Sequence, residues 1–202
     1  MIKTIIFDFG DVFINLDKAA TPREFKNCQV SELTETLLEK NFQYEKGLIS
    51  SEEFVDAYCS EYKHLEQEQV LNSWNAILVD LPRYRFEFLK KLSAEKNYKL
   101  ILLSNTNEIH INWVKENVPF FEEFKQCFDA FYLSHEINFR KPDAEIYKFV
   151  LEKHQLRPEE CLFVDDTREN TDAAEALGIH TWNIEPTRED VIDLFTAKKD
   201  LF

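Results

Sequence analysis

Ile5-Ile6-Phe7-Asp8-Phe9-Gly10-Asp11-Val12-Phe13 is the stretch that decides how this chain folds. Three apolar residues read as a short buried strand, and the run stops at an acid. A carboxylate at the tip of an apolar run is costly unless it faces a cleft, meets an opposite charge or binds a metal. Asp8 is therefore the first candidate site residue. Gly10, two positions on, raises the question of a missing second acid.

Four further segments have the same character: Lys99–Ser104, Phe128–Leu133, Cys161–Asp165 and Ile179–Ile184. With Thr4–Asp8 they make five short strands. From residue 99 onward they alternate with helical spacing at Glu108–Asn117, Ala144–His154 and Asp172–Leu177, the last stopped by Gly178. Strand–helix alternation predicts a mainly parallel sheet covered on both faces, an α/β Rossmann-like core. Residues 17–82 break the alternation and hold no strand pattern. They read as several helices: one or two before Gly47, one after Ser50, and one around Val70, Trp74 and Leu78. Ser50 with Glu53 forms a capping-box pattern ahead of Phe54, Tyr58 and Tyr62, which are expected to pack inside this part. A crossover this long exceeds what a parallel strand pair needs. The expected division is a catalytic core of residues 1–16 and 83–202 with a helical cap inserted at 17–82.

Composition narrows the function. The formal net charge is −14 over 202 residues, which argues against nucleic acid or an anionic membrane as partner. No apolar run approaches the ~20 residues of a membrane-spanning helix. Cysteines at 28, 59, 127 and 161 form no CxxC pair, so reduced thiols in a cytoplasmic protein are expected. The histidines at 64, 110, 135, 154 and 180 fit no metal-ligand spacing.

In an open parallel sheet, ligands bind beyond the carboxyl ends of the strands. Those ends carry Asp8, Ser104, Ser134 and Asp165-Asp166. Three carboxylates brought together repel unless a cation joins them, and oxygen-only ligands suit Mg²⁺. Ser104 adds a hydroxyl, and Lys141 adds a cation near a helix start. A metal, a nucleophilic carboxylate, a hydroxyl and a lysine suit phosphoryl transfer.

Asp8, Ser104-Asn105-Thr106-Asn107, Arg140-Lys141-Pro142 and Asp165-Asp166 resemble the four ordered motifs of the haloacid dehalogenase-like hydrolase superfamily, and the inserted helices resemble its helical cap. Within it, Phe7-Asp8-Phe9-Gly10, the Ser-Asn-Thr-Asn run, the Arg-Lys-Pro turn and Glu45–Ser50 are similar to the bacterial α-D-glucose-1-phosphate phosphatase group. The resemblance implies that Asp8 attacks phosphorus and forms an aspartyl-phosphate. It implies that Ser104 and the Asn105 N–H hold a phosphoryl oxygen and that Lys141 offsets charge. Mg²⁺ would be held by Asp8, the carbonyl of Gly10 and Asp166, with Asp165 binding directly or through water. Asn170 stands where many relatives carry another acid, and it is expected to orient a metal-bound water. Tyr44, Glu45 and Lys46 are candidates for substrate specificity.

The departure is Gly10, where most phosphatases of the superfamily carry the aspartate that protonates the leaving group. A positioned acid contributes ~10²–10⁴ in rate. A small phosphometabolite with a less basic leaving oxygen, a sugar 1-phosphate first, is therefore the expected substrate; Asp11 is the alternative acid. The rivals are a 2-haloacid dehalogenase, which has no use for the Asp165-Asp166 pair, a sugar phosphomutase, which depends on the acid Gly10 replaces, and a non-catalytic ligand-binding relative.

Overall fold

The computed structural model describes all 202 residues. Its five strands are β1 (Thr4–Phe7), β2 (Lys99–Ser104), β3 (Ala130–Leu133), β4 (Cys161–Asp165) and β5 (His180–Asn183). All neighbours are parallel, in the order β3-β2-β1-β4-β5. β1 is therefore central. Phe7 lies level with Leu102 on one side and Val164 on the other, so Asp8, Ser104 and Asp165 come out at one end of the sheet. The strands read as unbroken apolar runs because both faces are covered. Side chains alternate between the faces: Ile5, Phe7, Leu100 and Leu102 join the larger apolar cluster, and Ile6, Ile101 and Leu103 the smaller.

Strands β2 and β4 have the predicted bounds, and the other three are shorter. Phe128 is not in β3, because its N–H bonds back to the Lys125 carbonyl in a turn. Between β1 and β2 lie α1 (Ala20–Asn27), α2 (Glu35–Glu45), α3 (Ser51–Glu61) and α4 (Gln67–Asn75). They are followed by α5 (Arg83–Glu95), α6 (Glu108–Asn117), α7 (Phe121–Gln126), α8 (Ser134–Ile137), α9 (Ala144–His154), α10 (Arg168–Glu175) and α11 (Leu194–Ala197). Helix α10 starts four residues before the predicted Asp172, because Asp165 accepts the Thr167 N–H and turns the chain at once. Short helices α7, α8 and α11 carry too few turns to show a period in the sequence. Ser134 opens α8, with its hydroxyl accepting the Thr106 N–H and donating to the Thr106 carbonyl.

The four inserted helices have their own interior. Phe54, Tyr58 and Val70 are fully buried there, with Phe25, Leu37 and Tyr44. The Ser50–Glu53 capping box is formed in both directions. Ile109 of α6 is buried in the same cluster, and Trp74 stacks on His110, 5.4 Å between ring centres. The inserted helices are thus seated on the start of α6, immediately after Ser104–Asn107. Leu78 is not part of α4. It pairs with Leu16, and Asn15 and Asp17 bond to Asp80, Val79 and Ile77, so the outgoing and returning linkers run side by side. No helix is long and apolar enough to cross a membrane. All four cysteines are unpaired.

Candidate active site

The end of the sheet where Asp8 leaves β1 holds a cleft of about 370 Å³. Asp8, Gly10, Asn105, Lys141 and Asp166 line it. Ser104 and Asp165 lie beneath its floor, 3% and 0% exposed.

Lys141 is the hub. Its Nζ is 2.7 Å from Asp8 Oδ1 and 2.6 Å from Asp165 Oδ2, and the side chain is 1% exposed. A buried ammonium is costly alone and tolerable between two carboxylates. Burial by itself would pull the Lys141 pKa down, but Asp165 and Asp8 outweigh it and hold it above its ordinary value. Burial pushes the Asp8 carboxyl up to about 7, against the pull of Lys141. Burial also raises Asp166, opposed by Lys18.

The loops that present these groups are tied to one another. Asn105 Oδ1 accepts the Lys141 N–H at 2.9 Å, and Asn105 Nδ2 donates to the Lys141 carbonyl at 2.8 Å. The side chain of Asn105 therefore fixes Lys141, a role additional to the backbone N–H expected of it. Asn170 lines the cleft and braces Asp165. Its Nδ2 donates to both Asp165 oxygens at 3.0 Å. With Thr167 N–H on Oδ1 and Lys141 on Oδ2, the Asp165 carboxylate is densely hydrogen-bonded and orients the lysine.

Single carboxylate oxygens of Asp8, Asp165 and Asp166 lie within 4.8 Å of one another. Asp11 and Lys18 adjoin them, so four carboxylates face two lysines and two negative charges remain uncompensated. An all-oxygen donor set with that deficit fits a hard divalent cation. Asp8, Asp165 and Asp166 are the carboxylates that could hold it.

Asp11 is not aimed into the cleft. Its φ is +54°, a left-handed conformation that Asp tolerates better than most residues. Its carboxylate accepts the Leu16 N–H at 3.0 Å and meets Lys18 at 2.9 Å. Lys18 also reaches Asp166 Oδ2 at 2.5 Å. Sequence reasoning missed Lys18, since a lysine in a polar linker carries no signal until the linker folds over the cleft.

A second unforeseen feature lies at the cleft rim. Glu45 pairs with Arg140 at 2.9 Å, Lys46 with Asp143 at 2.8 Å, and Arg140 lies over the Phe42 ring. A Cβ on Gly47 would lie 2.0 Å from the His135 carbonyl oxygen, so only glycine allows this close approach, at φ +65°. Tyr44 is buried in the inserted helices and accepts the Ile109 N–H; it does not line the cleft.

Residues 2–178 match the family model described as haloacid dehalogenase-like hydrolase. The chain belongs to that family. It is therefore an enzyme, a hydrolase, on the parallel α/β fold of its relatives. It is 30% identical over 198 residues to D-ribitol-5-phosphate phosphatase of Bacteroides thetaiotaomicron, covering 92% of this chain and 93% of that protein. A HAD family enzyme of the same organism, solved with magnesium and inorganic phosphate, superposes with a TM-score of 0.82 at 36% identity, covering 96% of this hydrolase and all of that chain. A predicted HAD-like family hydrolase of Porphyromonas gingivalis superposes at 0.85 with 30% identity, covering 98% of this chain and 97% of that one.

Proposed function

We propose that this hydrolase is a Mg²⁺-dependent phosphatase of a small phosphorylated metabolite, a sugar or sugar-alcohol phosphate, working through an aspartyl-phosphate on Asp8. The observation that carries this reading is the buried Lys141 held between Asp8 and Asp165 at the end of the central strands. Similarity to a phosphatase and to a magnesium- and phosphate-bound enzyme supports it.

Asp8 attacks phosphorus while Lys141 offsets charge on the carboxylate and the phosphoryl oxygens. Ser104 and the Asn105 N–H receive a phosphoryl oxygen. Asp165 and Asn105 keep Lys141 in place. Mg²⁺, held by Asp8, the Gly10 carbonyl and Asp166, supplies further charge compensation. Residues 17–82 serve as a cap over a core of 1–16 and 83–202. Glu45 and Lys46 fasten the cap to the core at Arg140 and Asp143, and closure excludes bulk water. The unpaired cysteines support a cytoplasmic setting.

Within the substrate class two features pull apart. Gly10 favours sugar 1-phosphates, whose hemiacetal oxygen leaves more readily. The likeness to a ribitol-5-phosphate phosphatase favours a primary phosphate. A phosphate-release screen over glucose 1-phosphate, glucose 6-phosphate and ribitol 5-phosphate, with and without Mg²⁺, decides both points. Release that needs Mg²⁺ is expected. Release unaffected by chelation would overturn the metal-dependent reading, and equal turnover of the two glucose phosphates would remove the argument from Gly10.

A further inference from the structure

Hydrolysis of a primary phosphate ester expels a basic alkoxide, and position 10 offers no acid to receive it. A Cβ built at Gly10 would lie 2.9 Å from Leu16 Cδ1, so a side chain there requires that leucine to shift. The neighbouring Asp11 is turned toward the Leu16 N–H and Lys18. All three cations at the cleft are paired with carboxylates, and two of them are largely covered. Lys141 is enclosed between Asp8 and Asp165. Arg140 spans Glu45 and the Phe42 ring. Lys18 is the third, with its side chain 58% exposed, and it lines the cleft that Asp8 and Gly10 line. The acids Asp166 and Asp11 fix its position from one side. Glu169 also lines the cleft.

We propose that Lys18 is a catalytic residue whose ammonium holds the oxygen leaving phosphorus, in the role left open at Gly10. This rests on the phosphatase reading above. The Asp8 oxygen forms its bond to phosphorus as the ester P–O bond breaks, and that bond's electron pair passes to the leaving oxygen. Lys18 keeps its proton throughout and supplies charge and a hydrogen bond. The alkoxide takes a proton from water, and the hydroxide equivalent so produced attacks the aspartyl-phosphate, regenerating Asp8 and releasing inorganic phosphate. The linker carrying Lys18 and Leu16 would then set which leaving groups are accepted. It would extend the enzyme's range to primary phosphates that Gly10 alone disfavours.

The test compares wild type, Lys18→Met and Lys18→Arg across a Mg²⁺ titration on p-nitrophenyl phosphate, glucose 1-phosphate and ribitol 5-phosphate. The Lys18→Met change is expected to cost ~10²-fold in kcat/KM on ribitol 5-phosphate and far less on the aryl ester, with Lys18→Arg restoring most of the loss. An equal loss on all three esters would overturn the proposal. So would a loss cured by more Mg²⁺, since Lys18 would then act only through Asp166. A wild-type chain inert toward every ester is a separate result: it overturns the phosphatase reading, and this proposal with it.

Discussion

The two ends of the cleft are built on different principles. At the inner end Lys141, Asp8 and Asp165 sit on or beside the central strands, buried and saturated with hydrogen bonds. At the outer end Lys18 and Leu16 sit on a linker whose place depends on the inserted helices. The inner end is a rigid frame for a group common to all substrates, the phosphoryl group. The outer end meets the part that varies, the leaving group, and it joins an exposed lysine to a partly buried leucine packed on the edge of the core.

Mutations should separate the two ends. Asp8→Asn removes the proposed nucleophile and is expected to cost ~10⁵-fold in kcat, measured by phosphate release, with the fold intact. Lys141→Met should cost ~10²–10³-fold on every ester alike. It also strands two buried carboxylates, so the melting temperature should fall, and Asp8→Asn added to it should recover part of that loss. Uniform loss at Lys141 against leaving-group-dependent loss at Lys18 is the contrast that sustains the comparison; the same pattern at both positions would erase it.

The seat of the inserted helices on α6 gives a smaller effect that depends on pH. His110 stacks on Trp74, and burial pushes its pKa from 6.5 down to about 4. The folded protein therefore holds this histidine neutral where the unfolded chain would protonate it. Its contribution is present above about pH 6.5 and is lost as pH falls toward about 4, by at most ~3 kcal/mol. Thermal melts from pH 7 to 4 should show a shallower acid slope in His110→Gln than in wild type.

Least of all should come from the rim. Glu45→Gln breaks a half-exposed pair with Arg140, and such pairs contribute ~0.5 kcal/mol. A rise in KM of about twofold is expected at low salt, fading at high ionic strength. A salt-independent effect would mean that Glu45 touches substrate instead.

What could be read from the sequence follows the same division. The strands were legible because burial on both faces leaves continuous apolar runs, and Asp8, Ser104 and Asp165 were legible because acids and hydroxyls at strand ends interrupt those runs. The hub role of Lys141 came only with the family's ordered motifs, since a lysine beside a proline says nothing alone. The hold of Asn170 on Asp165 was not legible, because a side-chain amide reaching across a strand end leaves no local pattern. Leu16 and Lys18 were silent. Their meaning depends on the pairing of residues 15–17 with 77–80, about sixty positions apart, which no local pattern encodes.

The central claim is that Asp8 carries the phosphoryl group in turn-over. Wild-type protein mixed with Mg²⁺ and a substrate from the screen, quenched in acid within the first turnovers and digested, tests it by mass spectrometry. A phosphoryl increment on the peptide containing Asp8, decaying as substrate is exhausted, is the predicted result. Phosphate release with the increment on another residue, or with none on Asp8 at any quench time, would contradict it.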